Sequence, residues 1–276
     1  MSIKIGKPAF IAAACILTIC LGLFHAGCGG SGFSREEVEE IDTAFRAGTS
    51  SIGEATAFVR ALEDFNFEDA AFLDNAVKAV DSSRAAAQRL LASVEEMQGF
   101  SYDGALSTLG GYVEEYTALA VKAAEELESV YDGLDGILQA ISPVLREEAV
   151  ITQLDEPGSD AELLDRLGKL DAALKTSLAE LPGIEVPALL AEYKSLLEGI
   201  FTDLHKLILD LIAAASGQVS DENMENNPDF LHMQELIADY PRVVGEIEDN
   251  LEISRIDPRV EKVELELNRL FLGEEE

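Results

Sequence analysis

The chain has 276 residues, with 20 lysines and arginines against 53 aspartates and glutamates, a formal charge of −33 at pH 7. Nucleic-acid binding needs Lys and Arg to neutralise phosphates, and docking on anionic lipid needs a basic patch, so this balance speaks against both. It fits a basic protein partner, loosely held divalent cations, or a solvated acidic face with no specific partner.

The acidity does not extend to the start of the chain. Residues 1–7 carry Lys4 and Lys7, and the first acidic residue is Glu36. An apolar run over 8–24 follows, then small residues at Ala26 and Gly27. A basic start, an apolar stretch and small residues are the parts of a secretory signal, which predicts a signal peptide over 1–27. Pro8 to Gly27 is 20 residues, which at about 1.5 Å per residue also just spans a hydrocarbon layer of about 30 Å, so length leaves an uncleaved anchor open. Because the lysines precede the run, either arrangement puts the remainder of the chain outside the membrane.

Cys15 and Cys20 lie inside the apolar run, Cys28 directly follows it, and no cysteine occurs over 29–276. A cut before Cys28 leaves one cysteine, at the first mature position. Ala26, Gly27 and Cys28 resemble the end of the lipobox of bacterial lipoproteins, with His25 where that pattern usually has leucine. The resemblance covers this short segment alone. It implies a diacylglyceryl group on Cys28, which becomes the new N-terminus, and an extracytoplasmic domain attached to the cell membrane. Gly29, Gly30, Ser31 and Gly32 then suit a flexible tether over 28–33. Removing residues 1–27 takes away two lysines and no acid, so −33 becomes −35. Without a cysteine pair the mature domain must be stabilised by packing.

From Ser34 onward the pattern is helical. Ser34 and Glu37 form a capping box, and Val38, Ile41, Phe45, Gly48, Ile52, Ala55, Val59 and Leu62 recur at spacings of three and four, predicting one long helix. A second helix, capped by Asn66, carries Leu73, Val77, Val80, Ala87, Leu90, Leu91, Val94 and Met97 on one face. A third, from about Gly104, presents Tyr112, Tyr116, Leu119, Ala123, Leu127, Val130, Leu134, Ile137 and Ile141 over roughly 60 Å. Ser142 and Pro143 read as the N-cap and first turn of a short fourth helix after a kink. The glycines of the 131–136 stretch read as turns or helix breaks.

DEPGSD over 155–160 is the clearest linker and a possible sub-boundary. Ser159 and Glu162 form a second capping box ahead of a leucine-rich helix that ends at LPGIEVP. The segment around Tyr193, Phe201 and Leu207 is the most apolar after the signal, which predicts the central helix of a bundle. A seventh helix, bent at Pro241, and an eighth from Asp257 complete the chain. No segment alternates as a half-buried strand does. The prediction is an all-α, elongated up-and-down bundle of seven to eight helices over 34–273, with consecutive helices as antiparallel neighbours.

Catalytic patterns are sparse. The mature chain has two histidines, His205 and His232, and no G-x-S-x-G, H-E-x-x-H or glycine-rich phosphate loop. Asp229 and His232 are spaced to share a metal, although a di-iron bundle needs two Glu-x-x-His pairs and further inward glutamates. Asp221, Asn223, Glu225, Asn227 and Asp229 place oxygens at alternate positions as a calcium loop does, but Asn226 and His232 stand where such a loop has glycine and a bidentate acid. The expectation is therefore no metal and no cofactor. His205, beside Asp203 and near Asp210, reads as a hydrogen-bonded histidine at the edge of the core. The expected function is a non-enzymatic protein-binding or structural module. The alternative is a solute-binding lipoprotein with an apolar cavity walled by Tyr112, Tyr116, Tyr193 and Phe201.

Overall fold

The computed structural model describes residues 34–63, 71–152, 159–217 and 226–273, without the side chains of 148–152. All of them belong to one compact unit, Gly32–Glu276. The described residues form eight α-helices together with turns and short 3-10 segments: α1 Arg35–Ala55, α2 Ala57–Glu63, α3 Phe72–Gln98, α4 Ser107–Thr152, α5 Asp160–Glu180, α6 Ala191–Ala215, α7 Pro228–Asn250 and α8 Asp257–Leu272. There is no strand among them. The fold is an all-α up-and-down bundle, as the periodicity predicts. No helix among the described residues is long and apolar enough to cross a membrane. Cys28 and the whole of 1–33 lie outside the described residues, as do Asn66 and residues 155–158.

Three helix starts, those of α1, α5 and α7, carry side-chain caps. The Ser34 amide donates to Glu37 Oε2 at 2.8 Å while the Glu37 amide donates to Ser34 Oγ at 3.1 Å, the reciprocal pair of the capping box. The Ser159 hydroxyl accepts from the Glu162 amide at 3.3 Å, and the Glu162 carboxylate is paired with Arg166. Asn227 caps α7, its Oδ1 accepting from the amides of Asp229 and Phe230 at 2.9 and 3.4 Å.

Packing runs α1 on α3, α3 on α4, α4 on α5, α5 on α6 and α6 on α7, the order of the chain with α2 set aside. α8 then returns to lie against α4 and α1. Lys122 Nζ to Glu252 Oε1 at 2.7 Å and Lys262 Nζ to Glu115 Oε2 at 2.8 Å fasten this last segment to α4. Two groups of helices, α1–α3–α8 and α5–α6–α7, thus share α4 as a common member.

Sequence expectation and structure differ in four places. α4, not α6, is the central helix: it touches α3, α5 and α8, and its buried residues wrap more than one face, including Tyr131, Leu134, Ile137, Leu138 and Ile141. The broad stripe of α6 instead fades into half-exposed positions over 211–215. α4 also runs through Pro143 as a single helix of 46 residues, about 70 Å. The lost main-chain bond is outweighed by burial of Ile141, Val144 and Leu145 on either side.

Gly133 and Gly136 lie inside α4, where they make room for the connector between α5 and α6. A Cβ at Gly133 would stand 3.0 Å from Leu190 Cδ1, and one at Gly136 2.9 Å from Ile184 Cγ2. The long first helix is interrupted at Thr56, giving α1 and α2. A smaller departure is Val77, assigned to an inner face by spacing but 39 % exposed.

Candidate functional site

The polar residues that the sequence singles out gather between α5, α6 and α7. Asp203, on α6 and only 3 % exposed, is the centre of this cluster. Its Oδ2 is 2.5 Å from His232 Nδ1 on α7, and its Oδ1 accepts from Lys206 Nζ at 3.0 Å. Lys206 also donates to Asp229 Oδ1 at 2.7 Å. Asp229 and His232 therefore meet through Lys206 and Asp203. A cation already lies between the carboxylates, and the arrangement is a closed ion-pair chain.

One turn further on, Asn227 Nδ2 donates to Asp210 Oδ2 at 3.2 Å. His205 points the other way. Its Nε2 is 2.9 Å from Asp171 Oδ1 on α5, and Asp171 also accepts from Lys175 at 2.7 Å. Spacing along α6 offered Asp203 and Asp210 as neighbours of His205, but the partner is on another helix. Antiparallel packing was foreseeable; its register, which selects Asp171, was not.

Burial pushes the Asp203 carboxyl up, yet the hydrogen bonds and positive charge of Lys206 and His232 outweigh it and hold the group below its ordinary range. At Asp171 the Lys175 hydrogen bond is the largest influence and, with His205, holds that carboxyl low against a smaller effect of burial. Both carboxylates are accordingly ionised at neutral pH. Neither histidine is placed against a hydroxyl or thiol in these bonds, so the two pairs tie helices together without presenting a nucleophile. Among the described residues, no group of three or more His, Cys, Asp and Glu is placed to hold a metal. Asp221, Asn223 and Glu225 lie outside the described residues.

The four aromatic residues assigned to a cavity wall occupy separate places. Tyr116, Tyr193 and Phe201 are fully buried core side chains. Tyr116 meets Phe45 edge to face at 5.3 Å, and the Tyr193 and Tyr240 rings pack at 5.8 Å. Tyr112 is half-buried near the surface with Lys262 Nζ 5.5 Å from its ring centre. A groove of about 690 Å³ lies instead between the start of α1 and the end of α3, open to solvent and lined by Glu36, Glu39, Glu40, Thr43, Glu96, Gly99 and Phe100. A second, of about 490 Å³, follows the first turns of α4 beside Tyr102. None of the four aromatics lines either groove.

The class defined by these features is an acidic all-α helical bundle with a buried apolar core and grooves open to solvent. Comparison with protein families, with characterised proteins and with solved structures yields no match to this chain.

Proposed function

We propose that the chain is a cell-envelope lipoprotein that holds an acidic helical bundle outside the membrane and acts, without catalysis of its own, as a protein-binding or structural module. The observation that carries this reading is Ala26-Gly27-Cys28, the last cysteine of the chain, set between an apolar run and a glycine-serine tether. Long helices offer flat faces and shallow grooves of the kind that receive another protein's helix or extended segment. The carboxylates of Glu36, Glu39, Glu40 and Glu96 favour a partner with a basic contact face.

The test is mass spectrometry of the N-terminal peptide from membranes of the producing cell, combined with photo-crosslinking groups placed at exposed positions of α1 and α3. The expected result is a peptide beginning at Cys28 with a diacylglyceryl group and a discrete crosslinked protein. An N-terminus at any other residue removes the lipid anchor, and a folded bundle that crosslinks to nothing removes the binding role. Cys28→Ser is expected to leave the bundle folded while moving it from the membrane to the soluble fraction, read by fractionation and circular dichroism.

A further inference from the structure

Residues 54–57, Glu-Ala-Thr-Ala, contain neither proline nor glycine, yet the helix breaks at Thr56. The cause lies in two other helices. Ser83 on α3, fully buried, accepts from the Phe58 amide at 3.1 Å and donates to the Glu54 carbonyl at 3.1 Å. Those two groups are the partners of one i to i−4 bond, so the hydroxyl stands inserted in the helical ladder. The next bond is displaced as well. The Ala55 carbonyl accepts from Tyr131 Oη on α4 at 2.6 Å, and the Val59 amide turns to the Thr56 carbonyl at 3.1 Å. Beyond the break, Leu62 at the end of α2 offers its carbonyl to Tyr240 Oη on α7 at 2.9 Å, and Tyr240 Oη lies 3.2 Å from Tyr193 Oη on α6.

We propose that the interruption at 54–58 is a two-position joint linking the two helix groups: bent while Ser83 and Tyr131 occupy the ladder, straight when Phe58 and Val59 bond directly to Glu54 and Ala55. In either position the Phe58 and Val59 amides have an acceptor, so neither is left orphaned. They differ at Leu62. The bent position delivers its carbonyl to Tyr240, and the straight one carries it away. A ligand or partner that draws α7 from α2 therefore favours the straight helix, and by linkage a straightened helix loosens α7.

Residue-resolved amide exchange on the full-length protein in detergent, with tyrosine ring shifts from the same samples, tests this with Ser83→Ala. The expected result is a Phe58 amide whose protection stays within about threefold of the wild type, because Glu54 now accepts it, together with a shift of the Tyr193 and Tyr240 signals. A Phe58 amide exchanging about tenfold faster or more, with both tyrosines unmoved, overturns the proposal, since the bend then persists with an unpaired amide. Should Ser83→Ala fail to fold, Tyr131→Phe keeps the ring and removes only the hydroxyl. It is expected to raise Val59 protection about threefold and move the Tyr240 signal, and unchanged values at both overturn the joint.

Discussion

Asp203 shows what a single buried charge does in this bundle. An isolated carboxylate at 3 % exposure would be expelled or neutralised; here Lys206 supplies the opposite charge and a donor to one oxygen, and the His232 ring nitrogen lies within hydrogen-bonding distance of the other. Asp203→Asn keeps the shape and removes the charge, and is expected to cost about 1–3 kcal/mol in chemical denaturation at neutral pH. The sign of the pH dependence follows from the depressed folded-state values of Asp203 and Asp171. Their contribution is fully present above the unfolded carboxyl value of about 3.9 and disappears as pH falls through the lower folded values. Denaturation midpoints measured from pH 6 downward should fall below about pH 4, and Asp203→Asn should flatten that fall. The residue-level reading from sequence recognised His205 as a hydrogen-bonded edge histidine and did not name its partner, Asp171. Charge and polarity can be read from residue type, but which carboxylate a histidine meets depends on helix register. Tyr116, Tyr193 and Phe201 illustrate the same limit, since an aromatic on an inner face reads alike whether it lines a cavity or fills one.

At the scale of the element, periodicity located nearly every helix, because apolar residues at spacings of three and four can be buried together only on a helix. Helix ends marked by Ser34 and Ser159 were equally visible, since the caps are local. What escaped were features imposed by neighbours. The break at Thr56 comes from Ser83 and Tyr131, and Gly133 and Gly136 of α4 are seats for Leu190 and Ile184. Glycine in this fold consequently has opposite meanings at different sites. At Gly48 a Cβ would fall 2.3 Å from Ser93 Oγ and 2.9 Å from the Tyr116 hydroxyl, so Gly48→Ala is expected to cost about 1–3 kcal/mol through overpacking. Gly168 in α5 has nothing within 4 Å of such an atom, and Gly168→Ala should stabilise by about 0.5–1 kcal/mol through helix propensity. Thermal melts of the two variants measured side by side check both signs.

For the whole molecule, the dominant quantity is a charge of −33 on a chain with no cysteine beyond residue 28. Self-repulsion acts against the compact state, and salt screens it, with a Debye length of about 10 Å at 0.1 M falling to about 3 Å at 1 M. The melting temperature is therefore expected to rise between 0.02 and 1 M sodium chloride, by several degrees for each kcal/mol of repulsion removed. A melt unaffected by salt would mean that ion pairs such as Arg84 with Asp132 and Asp135 already offset the excess locally. The shared helix α4 bears on a different matter, the order in which the chain can be completed. Its partners α1 and α3 precede it in synthesis, but the face that receives Val263, Leu267 and Leu270 of α8 must wait until the last helix emerges. Lys262 and Glu115 are 147 residues apart in sequence and Lys122 and Glu252 are 130. Long-range closure of this kind slows folding, so a nascent chain that has made seven of its eight described helices still carries an open apolar strip along α1 and α4.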